Sequence, residues 1–123
     1  MVANTSLTFN SISATDIGKL APAECDLLPF GVIGLDAKGV AVIYNATEAR
    51  LAGLRPENVI GAAFFESIAQ CMNNYLVAQR FIDEAVIDET IPFVLTLRMR
   101  PTPVRLRLLA TPEVPLNYIL IER

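Results

Sequence analysis

The last third of the chain alternates between apolar and polar residues with a period of two. Apolar side chains occupy every second position over 93–99 and again over 104–108, with Pro101 and Pro103 between the two runs. Successive side chains of a strand point to opposite faces, so this pattern predicts two half-buried strands joined by a turn. A further apolar run over 116–121 predicts a last strand. Three such strands require a sheet with a covered face.

Two more β-rich runs occupy residues 32–35 and 40–44, and the intervening 36–39 end in Gly39. Glycine tolerates the positive φ of a tight turn, so this segment predicts a hairpin.

Short helices are predicted between the hairpin and the last strands. Asn45 can cap a helix that Gly53 ends, and single turns are predicted over 56–60 and 64–68. A longer helix is predicted over 74–87, because Tyr75, Ala78, Ile82 and Ala85 follow helical spacing. This order of elements predicts an α+β fold, in which a five-stranded antiparallel sheet carries the short helices and the longer helix on one face.

The first 27 residues differ from the rest of the chain in composition. They form either a brief helix over 15–20 or a loose tail, so the sequence is divided into an N-terminal cap segment, 1–27, and one domain, 28–123. The start lacks the basic and apolar regions of a signal peptide. No apolar stretch reaches the ~20 residues of a membrane span, and a soluble, cytoplasmic protein is predicted.

Composition excludes several classes of function. The 123 residues include no histidine, so no Ser-His-Asp triad, histidine-ligated haem or zinc-protease motif can exist. Two cysteines, Cys25 and Cys71, are too few for a four-thiolate metal site, and a disulfide between them stays open. The net charge of −3 argues against nucleic-acid binding. No paired acidic constellation indicates an enzyme.

An ordered set of short motifs resembles the PAS domains, small sensory modules, and within them the photoactive yellow protein branch. The set comprises residues 28–33, Leu35-Asp36, Tyr44-Asn45-Ala46, Glu48, Val59-Ile60-Gly61, Phe64-Phe65, Cys71, and Met99 before Pro101-Thr102.

The resemblance implies a blue-light receptor. In that branch a cysteine carries a p-coumaroyl thioester, and a tyrosine and a protonated glutamic acid hold the phenolate of this chromophore. By position these three residues are similar to Cys71, Tyr44 and Glu48. Met99 is similar to a methionine that assists recovery of the dark state. Light isomerises the chromophore, the glutamic acid loses its proton and the N-terminal segment loosens.

Each of these residues also has an ordinary structural interpretation. Cys71 can be a small buried apolar residue, Tyr44 a core aromatic and Met99 sheet packing. Asn45 and Glu48 have the spacing of a capping box, which would place Glu48 in solvent. As a chromophore ligand, Glu48 would instead be buried beside an anion, which raises a carboxylic pKa and keeps the acid protonated.

Departures from the branch pattern keep other functions open. Ala52 replaces a supporting threonine, Leu54 an arginine lid, Phe93 a tyrosine, and Gln70 a proline. The alternatives are a chromophore-free module that acts through a signalling protein or by homodimerisation, and a pocket for a diffusible apolar ligand. One face of two strands is predicted to carry Arg98, Arg100, Arg105 and Arg107, and this face is either solvated, an acidic-partner surface or a dimer contact. Neither a nucleic acid nor a membrane is expected as a partner.

Overall fold

The computed structural model describes residues 7–96 and 100–123. Their strands are β1 to β5 and their α-helices α1 to α4; three other single turns, two of 3-10 and one of π type, lie between α3 and α4. In chain order the elements are α1 (Ala14–Gly18), α2 (Pro22–Asp26), β1 (Gly31–Leu35), β2 (Ala41–Tyr44), α3 (Ala46–Ala52), the turns Pro56–Asn58, Phe64–Ile68 and Gln70–Met72, α4 (Ala78–Asp83), β3 (Ile87–Leu95), β4 (Thr102–Ala110) and β5 (Asn117–Glu122).

The five strands form one antiparallel sheet in the order β2-β1-β5-β4-β3. The predicted hairpin between β1 and β2 is confirmed, because the Asp36 carboxylate accepts hydrogen bonds from the Lys38 and Val40 amides and Gly39 has a φ of 81°. The sheet, the short helices and the α+β class agree with the prediction from sequence.

One face of the sheet packs against α3, α4 and the turns between them. We call it the helical face. Its core is built from alternate residues of the strands, as the period of two predicts. The buried residues include Ile33, Leu35, Leu95, Val104, Leu106, Leu108, Ile119 and Ile121.

The opposite face packs against residues 7–30, and we call it the N-terminal face. Phe9, Ile12 and Ile17 are buried there against Val32 and Leu120. Of the two alternatives for this segment, the helix is the one the structure has, as α1. The Ser13 hydroxyl accepts from the Asp16 amide, and the Asp16 carboxylate accepts from the Ser13 amide, which forms a capping box.

The longer helix predicted over 74–87 is wrong. The Asn74 side chain accepts hydrogen bonds from the Leu76 and Val77 amides, which forms a turn and delays the helix start. Helix α4 has only six residues, and the side chains of Tyr75 and Ile82 are 77% and 76% exposed. Residues from 87 onward pair with β4 instead, because the nine-residue ladder of β3 satisfies their backbone groups.

The predicted solvated arginine face holds only in part, since Arg100 and Arg105 are exposed and Arg107 is not. Arg107 is buried, and its guanidinium donates to the carbonyls of Phe9 and Ile12 and pairs with Asp88. Arg105 pairs with Glu122 and lies 5.0 Å from the centre of the Phe9 ring. The N-terminal segment therefore covers Arg107 and leaves the Arg105 side chain 48% exposed. Arg98 lies outside the described residues. Within the described chain no helix is long and apolar enough to cross a membrane.

Candidate functional site

Asn45 fixes the start of α3 and with it the position of the site. Its side-chain oxygen accepts from the amides of Val32, at 2.9 Å, and Glu48, at 3.1 Å. Its amide nitrogen donates to the carbonyls of Cys25 and Phe30. Because a buried asparagine side chain can form about four hydrogen bonds, Asn45 uses its capacity fully. It joins α2, β1 and α3 and sets where Tyr44 and Glu48 point.

Glu48 is buried, with 1% of its surface exposed. Its carboxylate forms a two-point ion pair with Arg123, with Nη1–Oε1 at 2.7 Å and Nη2–Oε2 at 3.1 Å. The side chain lies against the backbone of Gly31, where an added Cβ would fall 2.1 Å from Oε1. The capping-box alternative for Glu48 is therefore wrong, since Asn45 provides its half of the box and Glu48 turns inward.

Tyr44, Glu48 and Arg123 interact electrostatically. Burial raises the pKa of Glu48 above its usual range, and the hydrogen bonds and charge of Arg123 oppose that rise. Burial also raises the pKa of Tyr44; the charge of Glu48 adds to this and that of Arg123 reduces it. Tyr44 is 5% exposed.

Cys71 lies in the middle of the turn Gln70–Met72, on the helical face. Its side chain is half-buried and packs against the core cluster that contains Tyr44. Cys25 is buried in the cluster of the N-terminal face, so the two cysteines are free and lie on opposite sides of the sheet. Burial, with a smaller effect from Asp26, raises the pKa of the Cys25 thiol to about 11.

The helical face thus brings Cys71, Tyr44 and Glu48 to one side of the sheet. Leu54 and Phe93 pack against the same cluster. Met99, the fourth predicted site residue, lies outside the described residues.

Arg123 was not among the predicted site residues. The signal was present, because residue 123 continues the alternation of Ile119 and Ile121 and so belongs on the helical face.

Comparison with known proteins places the chain among sensory domains. The model of the family described as the PAS fold matches residues 22–113. The photoactive yellow protein of Rhodothalassium salexigens is 34% identical over 92 residues, which are 72% of this chain and 74% of that protein. The photoactive yellow protein of Halochromatium salexigens is 30% identical over 95 residues, which are 75% of this chain and 76% of that protein.

Solved structures agree with these matches. The photoactive yellow protein domain of the sensor histidine kinase Ppr from Rhodospirillum centenum is 36% identical, with a TM-score of 0.78 over 85% of this chain and 94% of that one. The PAS domain of an HTR-like protein from Haloarcula marismortui is 20% identical, with a TM-score of 0.63 over 83% and 91% of the two chains. The second match supports the fold alone.

Proposed function

Because this chain belongs to the PAS family and to its photoactive yellow protein branch, we propose that it is a light-sensing domain with a p-coumaroyl thioester on Cys71. In that branch the bound group supplies light absorption and isomerisation. Cys71 would provide the sulfur, and Tyr44 and Glu48 would face the phenol oxygen. Met99 stays a predicted contact of the same group.

The observation that carries this proposal is the placement of a reachable thiol in the cluster of a buried tyrosine. Cys71 is half-buried on the helical face, whereas the other thiol, Cys25, is buried on the opposite face. Tyr44 is buried in the same cluster, which suits a group that must donate to a phenolate in an apolar site. Acylation would form one C–S bond, break the bond between the acyl carbon and its leaving group, and release the thiol proton to solvent.

The decisive experiment is reconstitution with activated p-coumaric acid. We expect one acyl group by intact mass and a visible absorbance band. Both signals should be absent in Cys71→Ala and present in Cys25→Ala, the matched control. An adduct that persists in Cys71→Ala, or no adduct on the intact chain, would contradict the proposal.

The proposed contacts of Tyr44 and Glu48 with the phenol oxygen are tested on the same protein once it carries the p-coumaroyl group. Tyr44→Phe and Glu48→Gln should each shift the absorbance maximum without removing the adduct, because each changes a hydrogen bond to the phenol oxygen and leaves the thioester intact. An unchanged spectrum in both variants would remove these residues from the site.

A second candidate is a chromophore-free PAS module that signals by protein contacts or as a homodimer. The Glu48–Arg123 ion pair favours it, because the carboxylate already has a charged partner. This candidate predicts that reconstitution gives no adduct. It also predicts that the chain associates with a partner or with a second copy to the same extent in light and in darkness, as measured by analytical ultracentrifugation. A diffusible ligand would instead appear as a non-covalent mass lost on denaturation. For every candidate we propose a sensory and not a catalytic role, a domain over 28–123 after the cap segment 1–27, and a cytoplasmic location.

A further inference from the structure

A cleft of about 530 Å³ lies between the end of α3 and the start of β4, with three arginines in its lining. We call it the arginine cleft and define it by Arg50, Arg100 and Arg123, with Leu51, Ala52 and Leu95 as its apolar wall. Its volume is within the range of small-molecule sites. Cys71, Tyr44 and Glu48 are not among its described lining residues. The cleft adjoins the proposed thioester site through Arg123, which pairs with Glu48.

The charge balance of the cleft is uneven. No acidic side chain is among its described lining residues. Arg123 pairs with Glu48, and neither Arg50 nor Arg100 has a salt bridge to a described residue. Three guanidinium groups in one cleft are therefore opposed by one carboxylate, although the whole chain has a net charge of −3.

Guanidinium groups bind carboxylates and phosphates through two parallel hydrogen bonds. An inorganic ion would satisfy the charge but leave the apolar wall uncovered. We propose that the arginine cleft binds a small organic anion, with its acid group on the arginines and its apolar body against Leu51 and Leu95, and that this anion competes with Glu48 for Arg123.

The competition would link the cleft to the buried site. Glu48 is faced by Tyr44 from β2, by Arg123 after β5 and by the backbone of Gly31 from β1. An anion that takes Arg123 leaves the carboxylate buried without its cation. Glu48 then takes up one proton from solvent, which forms an O–H bond on its carboxyl group, because a buried unpaired carboxylate is costly.

The test uses the chromophore-free chain, so it stands apart from the thioester. Benzoate is titrated at constant ionic strength and followed by calorimetry. We expect Arg123→Gln and Arg50→Gln each to weaken binding about tenfold, the loss of one charge-assisted contact. The control is Lys38→Gln, which removes one positive charge as well, but at the opposite end of β1. It should bind benzoate as tightly as the original chain does.

If benzoate competes with Glu48 for Arg123, Glu48→Gln should bind benzoate more tightly than the original chain does, because Arg123 is released. Infrared spectra should gain a protonated-carboxyl band when benzoate binds, and Glu48→Gln should lack it. Inorganic phosphate should bind more weakly than benzoate. Equal benzoate affinity in Arg123→Gln and Lys38→Gln, no gain in Glu48→Gln, or phosphate binding as tight as benzoate would each overturn the proposal.

Discussion

The N-terminal face and the helical face of the sheet are closed by different means. On the N-terminal face, residues 7–30 pack Phe9, Ile12 and Ile17 into an apolar cluster. The buried guanidinium of Arg107 is paired there with Asp88 and donates to the carbonyls of Phe9 and Ile12. On the helical face the cover consists of short helices and single turns.

The reactive thiol and the arginine cleft of the helical face are more accessible than Cys25 and Arg107 of the N-terminal face, which are both buried. The helical face carries the half-buried thiol of Cys71, the buried Glu48 with its ion pair, and the arginine cleft beside Arg123. Short turns with few backbone hydrogen bonds rearrange more readily than a continuous helix. The comparison indicates that the N-terminal face stabilises the domain and the helical face is the one suited to ligands.

The largest effect is expected from Arg107→Ala on the N-terminal face. The substitution leaves the carbonyls of Phe9 and Ile12 without their donor, and each unsatisfied buried group costs about 1–3 kcal/mol. We expect urea unfolding to show a loss of about 3 kcal/mol. Arg105→Ala, two positions away on the same face, removes an exposed ion pair and should cost about 1 kcal/mol or less. Equal losses in the two variants would contradict the anchoring role of Arg107.

A smaller effect is expected from Gly31→Ala on the helical face. The added methyl group would lie 2.1 Å from Oε1 of Glu48 and must displace that carboxylate from Arg123. Overpacking of this kind typically costs about 1–3 kcal/mol. The control is Gly18→Ala in α1, where the new methyl group would meet Val114 at an ordinary 3.6 Å. Nuclear magnetic resonance of the Arg123 guanidinium should report the lost pair in Gly31→Ala alone.

The sequence predicts the elements whose signals are local. The period of two places Val104, Leu106 and Leu108 on one face, and the hairpin turn follows from Gly39. Asn45 and Gly53 bound α3 as predicted, because a cap and a left-handed terminal residue act within a few positions.

The failures come from one local turn and from interactions between distant residues. Helical spacing over 74–87 was outweighed at its start by the Asn74 turn and at its end by pairing of β3 with β4. The burial of Arg107 depends on carbonyls 95 and 98 positions away, and the partner of Glu48 is 75 positions away. The alternation of the last strand indicates the face on which Arg123 lies, but a single sequence does not show that Arg123 pairs with Glu48.

The reactivity of the two thiols compares the two faces directly. With an aromatic disulfide reagent at pH 8, we expect one fast equivalent from half-buried Cys71 and a second from Cys25 only after unfolding, because the thiolate is the reactive form and a buried thiol is reached slowly. Cys71→Ala should remove the fast phase and Cys25→Ala the slow one. Two fast equivalents would mean that the N-terminal face opens as readily as the helical face.

The pH dependence of stability tests the same contrast. The folded Cys25 thiol keeps its proton up to a pKa of about 11, whereas its ordinary pKa is 9.0. Between these values the folded state binds more protons than the unfolded state, so the free energy of unfolding should fall as pH rises through this window. In Cys25→Ala, the free energy of unfolding should fall less steeply over this pH window, whereas Cys71→Ala should show the same fall as the original chain. If both variants follow the original curve, burial of the Cys25 thiol does not contribute to the stability of the N-terminal face.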